Sequence, residues 1–195
     1  MYKTVLFIIV ALLTLSACNN DNTITSTDLS ELENTILTVT SERSSVHEFN
    51  INDDYERVEV WVEKYVEGEL VSGDSGGMRA GVQDDGYIIF GTEIDTDSKE
   101  FSYDLGVSSG GSIVSTKGND LISEEQQTQA SSWASKSSEE IPIDHEHELA
   151  LAIATFTFSP DENMGMPADI LSNFDEHKDQ FDVAYVLKLE FLSEE

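Results

Sequence analysis

Val58-Glu59-Val60-Trp61-Val62-Glu63-Lys64-Tyr65-Val66 is the stretch that decides the fold. In an extended chain Val58, Val60 and Val62 fall on one side and Glu59, Trp61, Glu63 and Tyr65 on the other, which is the period of a half-buried strand over Glu56 to Val66. Glu67-Gly68 supplies a hairpin turn, and Leu70 and Val71 open the return strand. The same alternation recurs on both sides. Ile36 to Thr40 and Val46 to Ile51 read as shorter strands, and Gly86 to Ile94 and Phe101 to Leu105 follow, bounded by Asp-Gly and Asp-Thr-Asp-Ser turn chemistry. From Leu149 to Phe158 both faces are apolar, as in a central strand covered on both sides. The closing strand sets Val183, Tyr185, Leu187, Leu189 and Phe191 against a more mixed face.

One helix is expected near the C-terminus. Pro167 suits its first position, and Ile170, Phe174 and Lys178 recur every four residues to about 179. Seven or more short strands with a single helix imply a mainly β chain folded as an antiparallel β-sandwich, with an immunoglobulin-like arrangement as one form of it and a partly open barrel as the alternative.

The N-terminus is of a different kind. Lys3 leads into the apolar run Val5 to Leu13, too short for a membrane span and of the length of a secretory signal peptide. Leu15-Ser16-Ala17-Cys18 then resembles the lipobox of bacterial lipoproteins, which implies cleavage before Cys18 and lipid on its thiol. The chain therefore divides into a signal peptide over 1–17, a lipidated cysteine with a polar tether over 18–34, and a single β-rich domain over 35–195. Cys18 is the only cysteine, so structural disulfides within the chain are excluded and packing alone holds the domain.

Loss of Lys3 with the signal peptide takes the formal charge from −29 to −30. So acidic a surface repels phosphate backbones and anionic headgroups, which excludes nucleic acid as a partner and leaves lipid on Cys18 as the hold on the membrane. Cations and basic partners are complementary to it, although acidity throughout also serves solubility alone.

Val58 to Tyr65, Ile141-Pro142-Ile143 leading into Glu148 to Phe156, and Phe181 to Phe191 together resemble uncharacterised lipoproteins of bacilli and related Gram-positive bacteria. The resemblance spans most of the mature domain and implies a Gram-positive envelope, with the protein on the extracytoplasmic face of the cell membrane. It brings no activity with it.

Several motifs mimic chemistry. Gly73-Asp74-Ser75-Gly76-Gly77 matches the active-site stretch of chymotrypsin-like proteases, but only 55 mature residues precede it, they contain one histidine, His47, and Met78 replaces the usual proline. Ordinary loop chemistry accounts for it. Asp144-His145-Glu146-His147-Glu148 would set His145 and His147 on one face of a strand, about two 3.3 Å rises apart, a spacing that chelates zinc once further ligands arrive. Asp95-Thr96-Asp97-Ser98-Lys99 and Asp161-Glu162-Asn163-Met164-Gly165 begin like calcium loops, but the first has lysine at the fifth position and neither supplies the glycine and distant glutamate of an EF-hand at the right places, so both read as turns. Ser123 to Glu140 is a polar loop whose one large side chain, Trp133, either docks on the sandwich or anchors an envelope or extracellular protein or glycan.

No cofactor motif and no catalytic constellation survives. The sequence points to a membrane-anchored, non-catalytic binding or accessory module, with a metal-binding envelope protein (zinc or calcium) and, behind it, a hydrolase as alternatives.

Overall fold

Thr23–Ser26 forms β1 and Glu31–Thr40 a helix, α1; the strands β2 (Arg43–Asn50), β3 (Arg57–Val66), β4 (Glu69–Ser72), β5 (Gly77–Gly81), β6 (Asp85–Asp95), β7 (Glu100–Ser109), β8 (Ser112–Leu121) and β9 (Ala130–Ser135) follow. The chain continues through β10 (Ile141–Pro142), β11 (Leu149–Thr157), a one-turn helix α2 (Phe174–His177), a 3₁₀ turn (Lys178–Gln180) and β12 (Val183–Leu192). This is a computed structural model, and it describes residues 22–72, 76–95, 97–123, 128, 130–137, 139–144, 147–159 and 165–193.

The strands form two antiparallel sheets, the β-sandwich that the alternation implies. Sheet I runs β10-β1-β2-β6-β7-β8, and sheet II runs β4-β3-β12-β11-β9 with β5 also on β3, an order distinct from the immunoglobulin ABED and CFG sheets. Two hairpins turn through residues at positive φ: Glu67 and Gly68 at 49° and 77° close β3–β4, and Gly110 and Gly111 at 56° and 76° close β7–β8. Such turns carry the twist of the flanking strands.

Val58, Val60 and Val62 are buried between the sheets with Leu187, Leu189 and Phe191 of β12. Aromatic rings join the layers: Phe101 stacks on Tyr185 at 4.2 Å, and Phe49 meets Phe191 edge-on at 5.2 Å. β11 is buried on both faces as expected, because its other side belongs to a second cluster. Ile153, Ala184, Val186 and Tyr65 on the outside of sheet II are covered by Ile170, Phe174 and Phe181.

Four expectations change. Ile36 to Thr40 is not a strand but the second half of α1, because Ser30 and Glu33 close a capping box at its start. The tether placed over 18–34 is folded from β1 onward: Ile24 is fully buried, and β1 pairs with both β2 and β10, so the ordered domain starts well before residue 35. The helix expected from Pro167 is confined to Phe174–His177, because Ser172 and Asn173 both turn their amides back to the Asp169 carbonyl and Asn173 leaves helical geometry. The loop Ser123 to Glu140 contains a strand, β9, on the edge of sheet II.

Candidate functional site

Among the described residues, the motifs singled out in the sequence do not converge. Cys18, Ser75, His145 and Asp161 to Met164 lie outside the described residues. His147 is exposed, with Nδ1 2.8 Å from an Asp144 oxygen. His177 is held by Asp169 and Gln180 on the outer side of sheet II. Among the described residues no group of three or more His, Cys, Asp or Glu is placed to hold a metal ion. Asp95 caps a turn by accepting from the amides of Asp97 and Ser98, at 2.9 and 3.2 Å. Trp133 docks: it stacks on Phe90 with ring centroids 5.4 Å apart and packs against the main core.

Gly76 and Gly77 have a structural reason to be glycine. Gly76 has φ 130° and lies against the Tyr103 hydroxyl; a side chain at Gly77 would collide with Trp61 Cβ and the Val60 carbonyl. The glycines of the protease-like motif thus allow β5 to lie close over Trp61.

That contact opens onto a concavity on sheet II. The uncovered half of the outer face of sheet II forms a trough of about 520 Å³ lined by Glu59, Trp61, Glu63, Gly77, Arg79, Glu148 and Glu190 among others. Antiparallel register assembles it: Trp61 lies opposite Lys188, Glu59 opposite Glu190 on one side, and Arg79 opposite Glu59 on the other. Glu63 is buried at its floor. One of its oxygens accepts from Trp61 Nε1 at 3.1 Å; the other accepts from the Tyr65 hydroxyl at 2.6 Å and the Lys188 ammonium at 2.9 Å. Lys188 also bonds Glu148 at 3.0 Å, and Arg79 pairs with Glu59.

Protonation states follow from this network. Burial pushes the Glu63 carboxyl up, but the bonds from Tyr65, Lys188 and Trp61 together outweigh it and leave it below the usual carboxylate range. Burial likewise disfavours charge on Lys188, and bonds to Glu63 and Glu148 reverse that and raise its pKa. Burial and then Glu63 raise the Tyr65 phenol. At neutral pH the floor is therefore a fixed carboxylate–ammonium–phenol set, held in its charge states rather than poised to exchange protons.

The YgaN domain family matches residues 23–191. The chain belongs to the YgaN family. No curated protein and no solved structure matches it. The YgaN domain so bounded starts on the first residue of β1 and ends in β12, so it includes the strand that sequence patterning assigned to the tether.

Sequence reading passed over the trough residues of this YgaN domain, although a signal was present. Glu59, Trp61, Glu63 and Tyr65 share the outward face of one strand, and Lys188 interrupts the apolar run of another. Their meeting depends on the β3–β12 register, which spacing along the chain does not reveal.

A different buried group belongs to the core. His47 on β2 is fully buried, and among the described residues neither ring nitrogen has a hydrogen-bond partner. Burial pushes its pKa down to about 4, so the ring is neutral at neutral pH.

Proposed function

We propose that the protein is an extracytoplasmic lipoprotein of the cell membrane, anchored through Cys18, and that it works as a non-catalytic binding module whose trough takes a basic segment of an envelope or extracellular partner. One observation carries the binding reading. The trough sets four carboxylates, Glu59, Glu63, Glu148 and Glu190, against two cations, Arg79 and Lys188, beside the Trp61 indole. An arginine or lysine side chain entering it meets excess negative charge and an aromatic face, the combination that holds cations. The address is supported by the apolar run Val5 to Leu13, the lipobox-like Leu15-Ser16-Ala17-Cys18 and the resemblance to lipoproteins of bacilli.

Trp133→Phe leaves Trp61 as the only indole. Titration of that variant with a short oligoarginine peptide should change Trp61 emission saturably, with affinity falling as salt rises and in Glu190→Gln. An unchanged spectrum, or equal affinity in Glu190→Gln and at high salt, would rule the basic-ligand reading out. Cys18→Ala should abolish palmitate labelling; labelling that persists would remove the anchor.

A further inference from the structure

α1 has an apolar face that the sandwich does not use. Leu32, Ile36 and Val39, spaced i, i+4 and i+7, lie along one side of the helix and are 69%, 55% and 81% exposed. The opposite side meets sheet I: Leu37 is half-buried, and the C-cap Ser41 sits against Gly91 on the outer face of β6. No residue of α1 is buried. The helix has also closed off its own polar groups. Ser30 and Glu33 form the capping box, and the hydroxyls of Thr35, Thr38 and Thr40 donate to the carbonyls of Glu31, Asn34 and Ile36 at 2.7, 2.8 and 3.1 Å. A helix whose hydroxyls are bonded internally loses little when its surface leaves water.

Its position relative to the N-terminus selects what covers it. Asn22 enters the fold at the far end of β2, where its side-chain oxygen accepts from the Asn52 amide at 2.8 Å. From there β1 runs back along β2 to Thr27, whose amide donates to the Val46 carbonyl at 2.9 Å, only three residues before the Ser30 cap of α1, so the chain that leaves the N-terminus passes along one strand into the helix. Only four peptide units separate Asn22 from Cys18, a span of at most about 14 Å when extended.

We infer that α1 is a membrane-seating helix: Leu32, Ile36 and Val39 lie in the interface of the bilayer that holds the acyl chains of Cys18, turning sheet I toward the membrane and the trough of sheet II outward. The inference rests on the lipoprotein reading. α1 carries Glu31 and Glu33 and no basic residue, so headgroup charge does not draw it to a membrane, and three side chains are too few to hold a domain there alone. The tether supplies what they lack, a high effective concentration at the surface.

The test uses the full acylated chain in vesicles of phosphatidylglycerol and phosphatidylethanolamine. With the Cys18 thiol acylated, Ile36→Cys provides one site for an environment-sensitive dye, and Glu176→Cys, exposed on α2 across the sandwich, provides the control. Iodide should quench the dye at 36 severalfold less than at 176, lipids spin-labelled near the headgroup should quench it more, and adding Leu32→Ser and Val39→Ser should return it to the control's behaviour. Acylated, vesicle-bound protein with equal iodide quenching at both sites overturns the seating and leaves the anchor standing. A chain carrying no acyl group overturns both. Shielding that needs no lipid and grows with protein concentration assigns the stripe to a second copy and likewise overturns the seating.

Discussion

Acid should destabilise this domain through His47, by an amount that the structure sets. The ring is fully buried in β2, and burial moves its pKa from 6.5 down to about 4. The unfolded chain takes up a proton at its ordinary pKa and the folded chain does so only near the lower value, so between them the unfolded state binds more protons and stability falls as pH falls. The contribution is whole above about pH 6.5 and gone below about 4. The difference corresponds to about 3 kcal/mol, a large fraction of the stability of a domain this size. The perturbation that isolates it is His47→Leu, which removes the titration and the two unpartnered nitrogens together and should leave the domain at least as stable at pH 7.5. Urea unfolding of both proteins at half-unit steps from pH 7.5 to 4 is the assay. The surface carboxylates titrate alike in both, so the difference between the curves reports the imidazole alone. Wild type should lose about 3 kcal/mol relative to the variant across that range. Parallel curves would refute the reasoning, because they would mean that His47 takes its proton equally easily folded and unfolded.

Four further outcomes follow from three contacts. Lys188→Met should cost about 3 kcal/mol in chemical denaturation, because it leaves the buried Glu63 carboxylate without its cation, and Glu63→Gln in the same chain should recover much of the loss. As the Glu63 pKa is lowered by folding, its contribution is present above the ordinary carboxylate range and lost in acid, so the wild-type advantage over Glu63→Gln should shrink as pH falls through that range. Trp133→Ala should lower stability by about 2 kcal/mol through loss of the stack on Phe90, measured as a shift in urea midpoint with unchanged slope. Ser30→Ala removes the capping box at a local cost of about 1 kcal/mol, which amide exchange should place in α1 while global unfolding hardly moves, since α1 buries no residue.

Legibility in the sequence followed burial. β3, β11 and β12 could be read because each carries a buried face, and alternation records which face is buried. β8 left no such record: Ser112–Leu121 is an edge strand with no fully buried residue, and Ile113 on it is 76% exposed. α1 misled for a related reason. Its Ile36, Thr38, Val39 and Thr40 are β-branched and suggest a strand, and only the Ser30-x-x-Glu33 signature points to a helix start. β1 looked like tether because a strand of four residues with one apolar side chain, Ile24, differs little from a polar linker until its pairing partners are known. The trough was hidden more deeply still, since Glu63 and Lys188 lie on strands brought together from opposite ends of the domain.

The scarcity of cations ties the trough to the rest of the surface. The chain has 10 Lys and Arg against 39 Asp and Glu, and several of the cations form bridges that hold elements together. Lys64 of β3 reaches Asp120 of β8 at 2.7 Å and joins the two sheets; Arg79 pins β5 to β3 through Glu59; Lys188 links Glu63 on β3 to Glu148 ahead of β11. Each such bridge fixes a cation against two strands, so a basic ligand need not displace it to find negative charge nearby. Lys188 sits low, between Glu63 and Glu148, while Glu190 lies one outward position further along β12 and Glu59 directly opposite it. An entering guanidinium would therefore meet Glu190 and Glu59 at the rim first, with Lys188 beneath setting how deep a second positive charge can go. On this arrangement, Glu190→Gln should weaken binding of a basic peptide without loosening the fold, whereas Lys188→Met should loosen the fold and deepen the negative charge of the trough together.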